Sequence, residues 1–478
     1  MSSFSKPSGA DKLAQWPARL LITFFGMGIA VVLSKAGIVA GLGLMMVPFL
    51  GLFLYLLFTF PKLGLYSAIF MGFAANGLAR YVPAPLGLAI DGLLVLTYLA
   101  IFFKKESYDW SKAANGLTWA AVIWMGYSIL QILNPEARSF AAWFYAMRGV
   151  SLYMVLAIPL VFVLFDDKKD LLLFFHIWLL LSFLGTLQGM KQLFVGVDAF
   201  EKAWLDAGAA KQHILFGKLR VFSFYSDAGQ FGAAQAHTFV VAAILMLTPG
   251  IQTKRKIIYG ICALLSLYGM MISGTRGAMS VPAIGFMTYF LLSKNFRVFG
   301  SGVAVGAIVF YFLKYTFILQ SVYAVNRMRT ALDPNDASLL VRLENQKKLS
   351  SYLASRPFGG GIGSAGNWGL RFSPNTFLAQ TPTDSWFVRI WAEEGIVGLY
   401  LHLIILFYIA IAAGIRLWNL QDLVLRQQRM AILSGTLGIY MASYGNGILG
   451  QMPTGILLYM GWAFLFMKTE PPKSDDSV

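Results

Sequence analysis

Apolar runs of about 20 residues, the length that crosses a bilayer as a helix, recur along almost the whole chain and are separated by short charged loops. No other feature limits the fold as strongly. The 478 residues are 58% hydrophobic and only 13% charged, with a positive mean hydropathy. A soluble fold of this length does not supply more than a dozen such runs. The expectation is an all-α polytopic membrane protein. About fourteen spans are predicted, starting near Leu20, Ile38, Leu63, Leu86, Leu117, Ser151, Leu171, Gly229, Ile257, Met279, Val298, Trp386, Met430 and Pro453.

The net charge of +16 does not point to nucleic acid, because much of it lies in short clusters between apolar runs, where basic residues fix membrane topology. With the N-terminus cytoplasmic, Lys104 and Lys105, Lys168 and Lys169, Lys254 to Lys256, Lys294 with Arg297, and Arg416, Arg426 and Arg429 all fall inside. Lys6, Lys12 and Arg19 lead into the first apolar run with no small-residue cleavage site, so that run reads as a retained helix. Glu470 to Val478 reads as a cytoplasmic tail. The single cysteine, Cys262, and four scattered histidines (His176, His213, His237 and His402) predict neither disulfides nor a metal site.

Two longer segments face outward in this topology. One spans 196–228, where Phe200, Ala203, Trp204 and Ala207 at helical spacing suggest a helix lying in the interface. The other spans 319–385 and contains an amphipathic helix from about Ser338 to Leu353. The chain thus divides into membrane helices over 1–318, a periplasmic loop over 319–385, and the last membrane helices with a short tail over 386–478.

Ionisable groups near membrane depth are costly, so their placement is informative. Arg80, Asp91, Arg138, Arg148, Arg220, Asp227, Arg276, Asp384, Arg389 and Glu393 all fall at outer helix ends. Arg276, in S-G-T-R-G-A, and Arg220, in K-L-R-V-F, each have a plain reading as headgroup contacts. Together they have a second reading as a diphosphate clamp, since guanidinium groups grip phosphate bidentately. Asp384 either caps the helix opening at Trp386 or serves as a general base. Glu393, about two and a half turns deeper, and Asp91 read as ion-pair partners for arginines. The glycine run from Pro357 to Gly366 is either a flexible turn or a close backbone approach to a ligand.

Four of these elements in order (Arg220-Val221 before a helix, the Ser273-x-x-Arg276-Gly277 turn, Arg342 leading to the glycine run, and A-E-E-G-I-V-G-L from Ala392 to Leu399) resemble the O-antigen ligase and Wzy-type polysaccharide polymerase family. The resemblance covers about Leu219 to Leu401. It implies a GT-C-like glycosyltransferase at the periplasmic face of a bacterial inner membrane. Such an enzyme is cofactor-free and metal-independent, and it takes a glycan from undecaprenyl diphosphate with inversion. Carried over, Arg220 and Arg276 match the family's diphosphate-binding arginines and Arg342 matches the arginine of the loop. Independently of the resemblance, Arg389, Asp227, Arg148 and Arg80 are expected as further substrate contacts from their place at outer helix ends. The sequence departs from ligases where their histidine is replaced by Asp384, the asparagine after it by Ser385, and the loop tryptophan by Gln346. The Pro-Asn pair usual after the first arginine has no counterpart around Asp227 to Phe231. The expectation is a polymerase of O-antigen or exopolysaccharide repeat units with Asp384 as base, its substrates being undecaprenyl-diphosphate-linked oligosaccharides. A chain-length regulator or other polysaccharide-assembly protein is the expected partner. The rivals are a ligase acting on lipid A core or protein and, from another class, a flippase.

Overall fold

The computed structural model describes residues 9–468, except 83, 105–107, 167, 216 and 331–336. The expectations for Lys6, Lys105 and the tail from Glu470 fall outside these residues. Among the described residues the chain is an all-α membrane protein with one two-residue β-ribbon (β1 Ile214–Leu215, β2 Lys218–Leu219). Five segments are long and apolar enough to cross a membrane: 116–133, 140–164, 169–194, 253–272 and 386–419. Shorter apolar helices stand among them.

The first helix, α1 (Gly9–Thr59), is continuous through both of the first two expected spans. The sequence reading started a second span near Ile38, but nothing in Ser34-Lys-Ala-Gly-Ile38 breaks a helix, and a lysine alone does not end one. Pro61 marks the real break, followed by α2 (Lys62–Leu78) and α3 (Leu88–Phe103). Asn115 caps α4 (Gly116–Leu130) through the amides of Leu117 and Thr118. The span expected from Ser151 begins earlier, as α5 (Phe140–Met147), capped by Ser139 and running through a π-helical turn, Arg148–Leu152, into α6 (Tyr153–Leu164). Arg148 therefore lies inside the helix and not before it. Its charge is tolerated there because Asp91 faces it at 2.6 Å.

After α7 (Lys169–Phe194) the outward segment folds on itself as α8 (Ala199–Trp204), α9 (Ala210–His213) and the ribbon. Asp198 and Glu201 form a reciprocal capping box at the start of α8. Lys191 contacts both carboxylates at 3.3 Å, and the Tyr81 hydroxyl donates to Asp198 at 2.5 Å. Of the face expected to lie in the interface, Trp204 instead packs on His213 and Phe222, while Phe200 stays exposed.

The bundle is built around two helices with little exposed surface, α10 (Ala228–Met246) and α20 (Thr454–Phe466). The first packs on α7, α11 (Thr253–Ile272), α12 (Ser280–Leu292) and α19 (Leu423–Gly445). Its small residues permit this closeness, as side-chain size sets how near two helices come in a membrane. A β-carbon on Gly232 would overlap the Ser273 hydroxyl. Polar side chains add specific ties: Trp178 Nε1 donates to Thr238 at 3.0 Å, Gln235 to the Ser182 carbonyl at 3.0 Å, and Gln230 to Thr454 of α20 at 2.8 Å.

Between α13 (Phe296–Tyr315) and α18 (Trp386–Asn419) come α14 (Tyr323–Thr330), α15 (Ala337–Leu353), α16 (Gly366–Phe372) and α17 (Phe377–Gln380). The amphipathic helix expected from Ser338 is α15, which rests on α18 through Leu349 and Leu353. The glycine run is neither a loose turn nor a free loop. α18 is kinked at Gly395 (φ +69°, ψ −172°), and the run packs backbone against backbone into that kink. The Gly360 amide donates to the Ala392 carbonyl at 2.9 Å and the Val397 amide to that of Pro357 at 3.3 Å. Gly359, itself at φ +72°, leaves no room for a β-carbon, which would overlap the Gly395 amide.

Two variants test this architecture by thermal unfolding of the purified protein. Gly359→Val both overpacks the kink and strains a left-handed backbone, at a cost of about 1–3 kcal/mol for each. A clear fall in Tm is expected. At Asp198 burial raises the carboxyl, but the Glu201 amide, Tyr81 and Lys191 outweigh it and hold it at about 2. An unfolded aspartate titrates near ~3.9. The carboxylate thus stabilises the fold fully above that value and ceases to do so as pH falls through about 2. The Tm gap between wild type and Asp198→Asn should be constant near neutrality and close progressively as the pH is lowered from about 4.

Candidate functional site

The site lies where the ends of α10, α11, α18 and α19 meet. The strand leaving the ribbon brings Arg220 beside the turn that joins α11 to α12. Its guanidinium donates to the Thr275 hydroxyl at 3.0 Å and to the Gln212 carbonyl at 3.1 Å. Thr275 in turn donates to the Ala228 carbonyl at 2.8 Å, fixing the turn against the start of α10. Arg276 follows directly and opens a single 3-10 turn, Arg276–Met279. The two arginines expected to act together are therefore linked through one threonine.

Asp227 caps α10 through the Gln230 amide at 3.0 Å, and its second oxygen accepts from Ser226 at 2.9 Å. Ser226 also reaches Gln451, in the loop after α19. That loop, Tyr444-Gly-Asn-Gly-Ile-Leu-Gly-Gln-Met-Pro453, enters the middle of the site. The Asn446 amide group sits over Gly277, where a β-carbon would press against it at 3.0 Å, and beside Gly229, where one would stand in ordinary contact at 3.6 Å. The Asn446 carbonyl accepts from the Trp386 amide at 3.3 Å, which ties the loop to the start of α18.

From the other side, α15 delivers Arg342. Its Nε lies 3.4 Å from the Asp384 carboxylate, with 33% and 56% of the two side chains exposed. It also lies over Gly445, where a β-carbon would stand 3.8 Å from the guanidinium and 4.0 Å from Gly277. Asp384 does not itself cap α18: Ser385 does, accepting from the Val388 amide at 3.4 Å. Its carboxylate is thus not used by the helix end.

Arg220, Arg276, Asp227, Arg342 and Asp384 are in this way connected through Thr275, Gly277 and Asn446. Three other arginines expected to touch substrate are committed elsewhere. Arg80 donates to the carbonyls of Ser223 (2.6 Å) and Tyr225 and lies on the faces of Trp204 and Phe222. Burial draws its basicity down to about 10, with Glu201 among the charges opposing that fall. Arg148 pairs with Asp91 and donates to Tyr153 at 2.8 Å. Arg389 pairs with the fully buried Glu393 at 3.1 Å. Each guanidinium left at low water content needs an internal partner, and each has one. These contacts hold the turn before Asp227, the π-helical turn at Arg148 and the start of α18.

His213 stands behind Asp227. Burial lowers its basicity, and the neutral ring donates from Nδ1 to the Ala209 carbonyl at 2.8 Å while Nε2 accepts from the Ala228 amide at 3.3 Å. Among the described residues no group of three or more His, Cys, Asp or Glu is arranged to hold a metal.

Sequence reasoning overlooked Asn446, Thr275 and Gln451. A search for charge passes over them, yet G-N-G-x-x-G-Q between two apolar runs is an uncharged polar break at the same outer level, and that was the available signal. A cleft of about 490 Å³ lies apart from this cluster, on the flank of α18, lined by Glu136, Tyr352, Asn375 and Phe377 among others.

No curated protein matches the chain. Residues 261–403 match the family model described as O-antigen ligase. That segment holds Arg276, Arg342, Asp384, Arg389 and the glycine run, and over it the chain is similar to the O-antigen ligase family.

Proposed function

We propose that this protein is a polysaccharide polymerase, a membrane glycosyltransferase of GT-C type that joins lipid-linked repeat units at the periplasmic face of the inner membrane. The observation that supports the reading is that Arg220 and Arg276 share the Thr275–Gly277 turn, that Asn446 lies over that turn and ties it to the start of α18, and that Arg342 beside Gly445 reaches Asp384.

The chemistry asks for two things. A sugar hydroxyl of the acceptor must lose its proton as its oxygen bonds to the anomeric carbon, and the bond from that carbon to the diphosphate oxygen must break with its electron pair on the leaving group. The half-exposed carboxylate of Asp384, not used in capping α18, is suited to the first task as general base. Arg342 aims it, because a carboxylate held by an arginine Nε keeps one oxygen directed. Arg220 and Arg276 supply fixed positive charge where the diphosphate leaves, the site at which charge grows in the transition state. Asn446 stands between the two halves and offers an amide to the sugar being transferred. Attack opposite the diphosphate inverts the anomeric carbon. The aspartate at the place where ligases carry histidine favours growth on a repeat unit over transfer to lipid A core.

Arg276→Ala should lower polymer formation by roughly a hundredfold or more, with the protein still inserted and of unchanged Tm; chain growth at the wild-type rate would remove Arg276 from the site. Asp384→Asn, which keeps shape and loses the base, should cost about two to four orders of magnitude in rate with purified lipid-linked repeats. In a deletion strain the lipid-linked intermediates discriminate the rivals. Single repeats accumulating fit the polymerase, whereas long lipid-linked polymer accumulating fits a ligase.

A further inference from the structure

The cleft on the flank of α18 encloses about 490 Å³, within the range of small-ligand sites. It forms between the turn joining α4 to α5, which contributes Glu136 and Arg138, and the outer loop, which contributes Tyr352, Ser364, Asn375 and Phe377. The phosphate-binding cluster uses none of these residues.

Its walls are fixed. Tyr352 and Phe377 stack at 4.5 Å, Arg356 covers the Tyr352 ring at 4.2 Å, and the same arginine reaches Glu136 at 3.4 Å. Asn134 anchors the opposite wall by donating to the Phe358 carbonyl at 2.9 Å. On the far side α16 is pinned to α5 by the stacking of Tyr145 with Trp368 and Phe372, which sets the position of the Ser373–Thr376 wall that follows. A cleft braced in this way does not need ligand to form.

The chemistry of the lining selects the ligand class. Phe377 keeps 39% of its surface exposed, a flat apolar face suited to the C–H face of a sugar ring. Around it stand uncharged donors and acceptors, Ser364 and Asn375, with one carboxylate, Glu136, and one guanidinium, Arg138. A lipid tail would leave those polar groups unpaired, and with Glu136 offsetting Arg138 the lining carries no net positive charge to hold a diphosphate. A polyhydroxylated ring, which both donates and accepts, suits it.

We infer that this cleft is a glycan-binding subsite that holds the sugar chain beyond the reacting residue. The inference rests on the polymerase reading for the identity of the chain. Placement supports it: Ala365, next to Ser364, hydrogen-bonds Glu393, nine positions beyond Asp384 and about 13 Å along the helix. A few sugar units bridge that distance. The subsite therefore selects for the repeat unit's interior sugars and retains the growing chain between additions.

The probe is the host's own polysaccharide, freed from lipid by mild acid and trimmed to one and two repeat units. It is titrated calorimetrically into the full-length protein in nanodiscs, alongside polymerisation assays with intact lipid-linked repeats. Asn375→Trp, which fills the cleft, should weaken glycan binding by about tenfold or more and raise KM to match, with kcat within about twofold. Asn375→Ala, which removes only the amide, should do the same to a smaller degree at unchanged Tm. Binding and KM unaffected by both variants, or wild-type protein that polymerises without binding the freed glycan, overturns the subsite. If wild type binds the glycan, loses it in Asn375→Trp and never polymerises, the subsite stands and the polymerase reading falls. If it neither binds nor polymerises, both fall.

Discussion

A guanidinium or carboxylate withdrawn from water at the edge of a bilayer has to meet an opposite charge or a set of dipoles within the protein. The end of this bundle that carries the candidate site is arranged by that requirement. Arg148 with Asp91, Arg389 with Glu393 and Lys191 with Asp198 and Glu201 satisfy it by pairing. Arg80 satisfies it with carbonyls and aromatic faces. The contacts of Arg148 and Arg80 join parts distant in sequence, whereas those of Arg389 and Lys191 are local. The long-range interactions that make charges tolerable are therefore also ones that bring helix ends into register.

Against this background the residues proposed to react stand out by what holds them. Asp384 is released from helix capping by Ser385 and makes a long, exposed contact to Arg342. Arg220 donates to the hydroxyl of Thr275, the residue next to Arg276, so the turn that carries one arginine also seats the other.

Much of this was legible in the chain. Leucines at helical spacing among charges gave α15, and Glu393 and Asp91 were recognisable as arginine partners because a carboxylate at an outer helix end has few other uses. What was hidden falls into two kinds. Backbone-to-backbone packing leaves glycines and nothing else, so the run from Pro357 gave no sign that its partner was a kink in α18. Uncharged polar groups such as Asn446 give no electrostatic signal, and only the fold shows that the α19–α20 loop reaches Gly277. The continuity of α1 shows a third case, where hydropathy registers two apolar runs but the backbone has no cause to stop. The matched family segment, 261–403, is likewise incomplete by itself, since Arg220, Asp227 and Asn446 come from outside it.

The kink at Gly395 has a consequence for how the protein sits in its membrane. Helices adapt to a thicker or thinner hydrocarbon layer by changing tilt, and a straight helix swings everything rigidly attached to it. In α18 the outer segment bearing Asp384 and Arg389 takes its direction from the Pro357 and Gly360 backbone and the Asn446 loop, not from the 24 residues that follow the kink. Lipid composition can thus alter the lean of the long apolar part while the carboxylate and its arginine keep their aim.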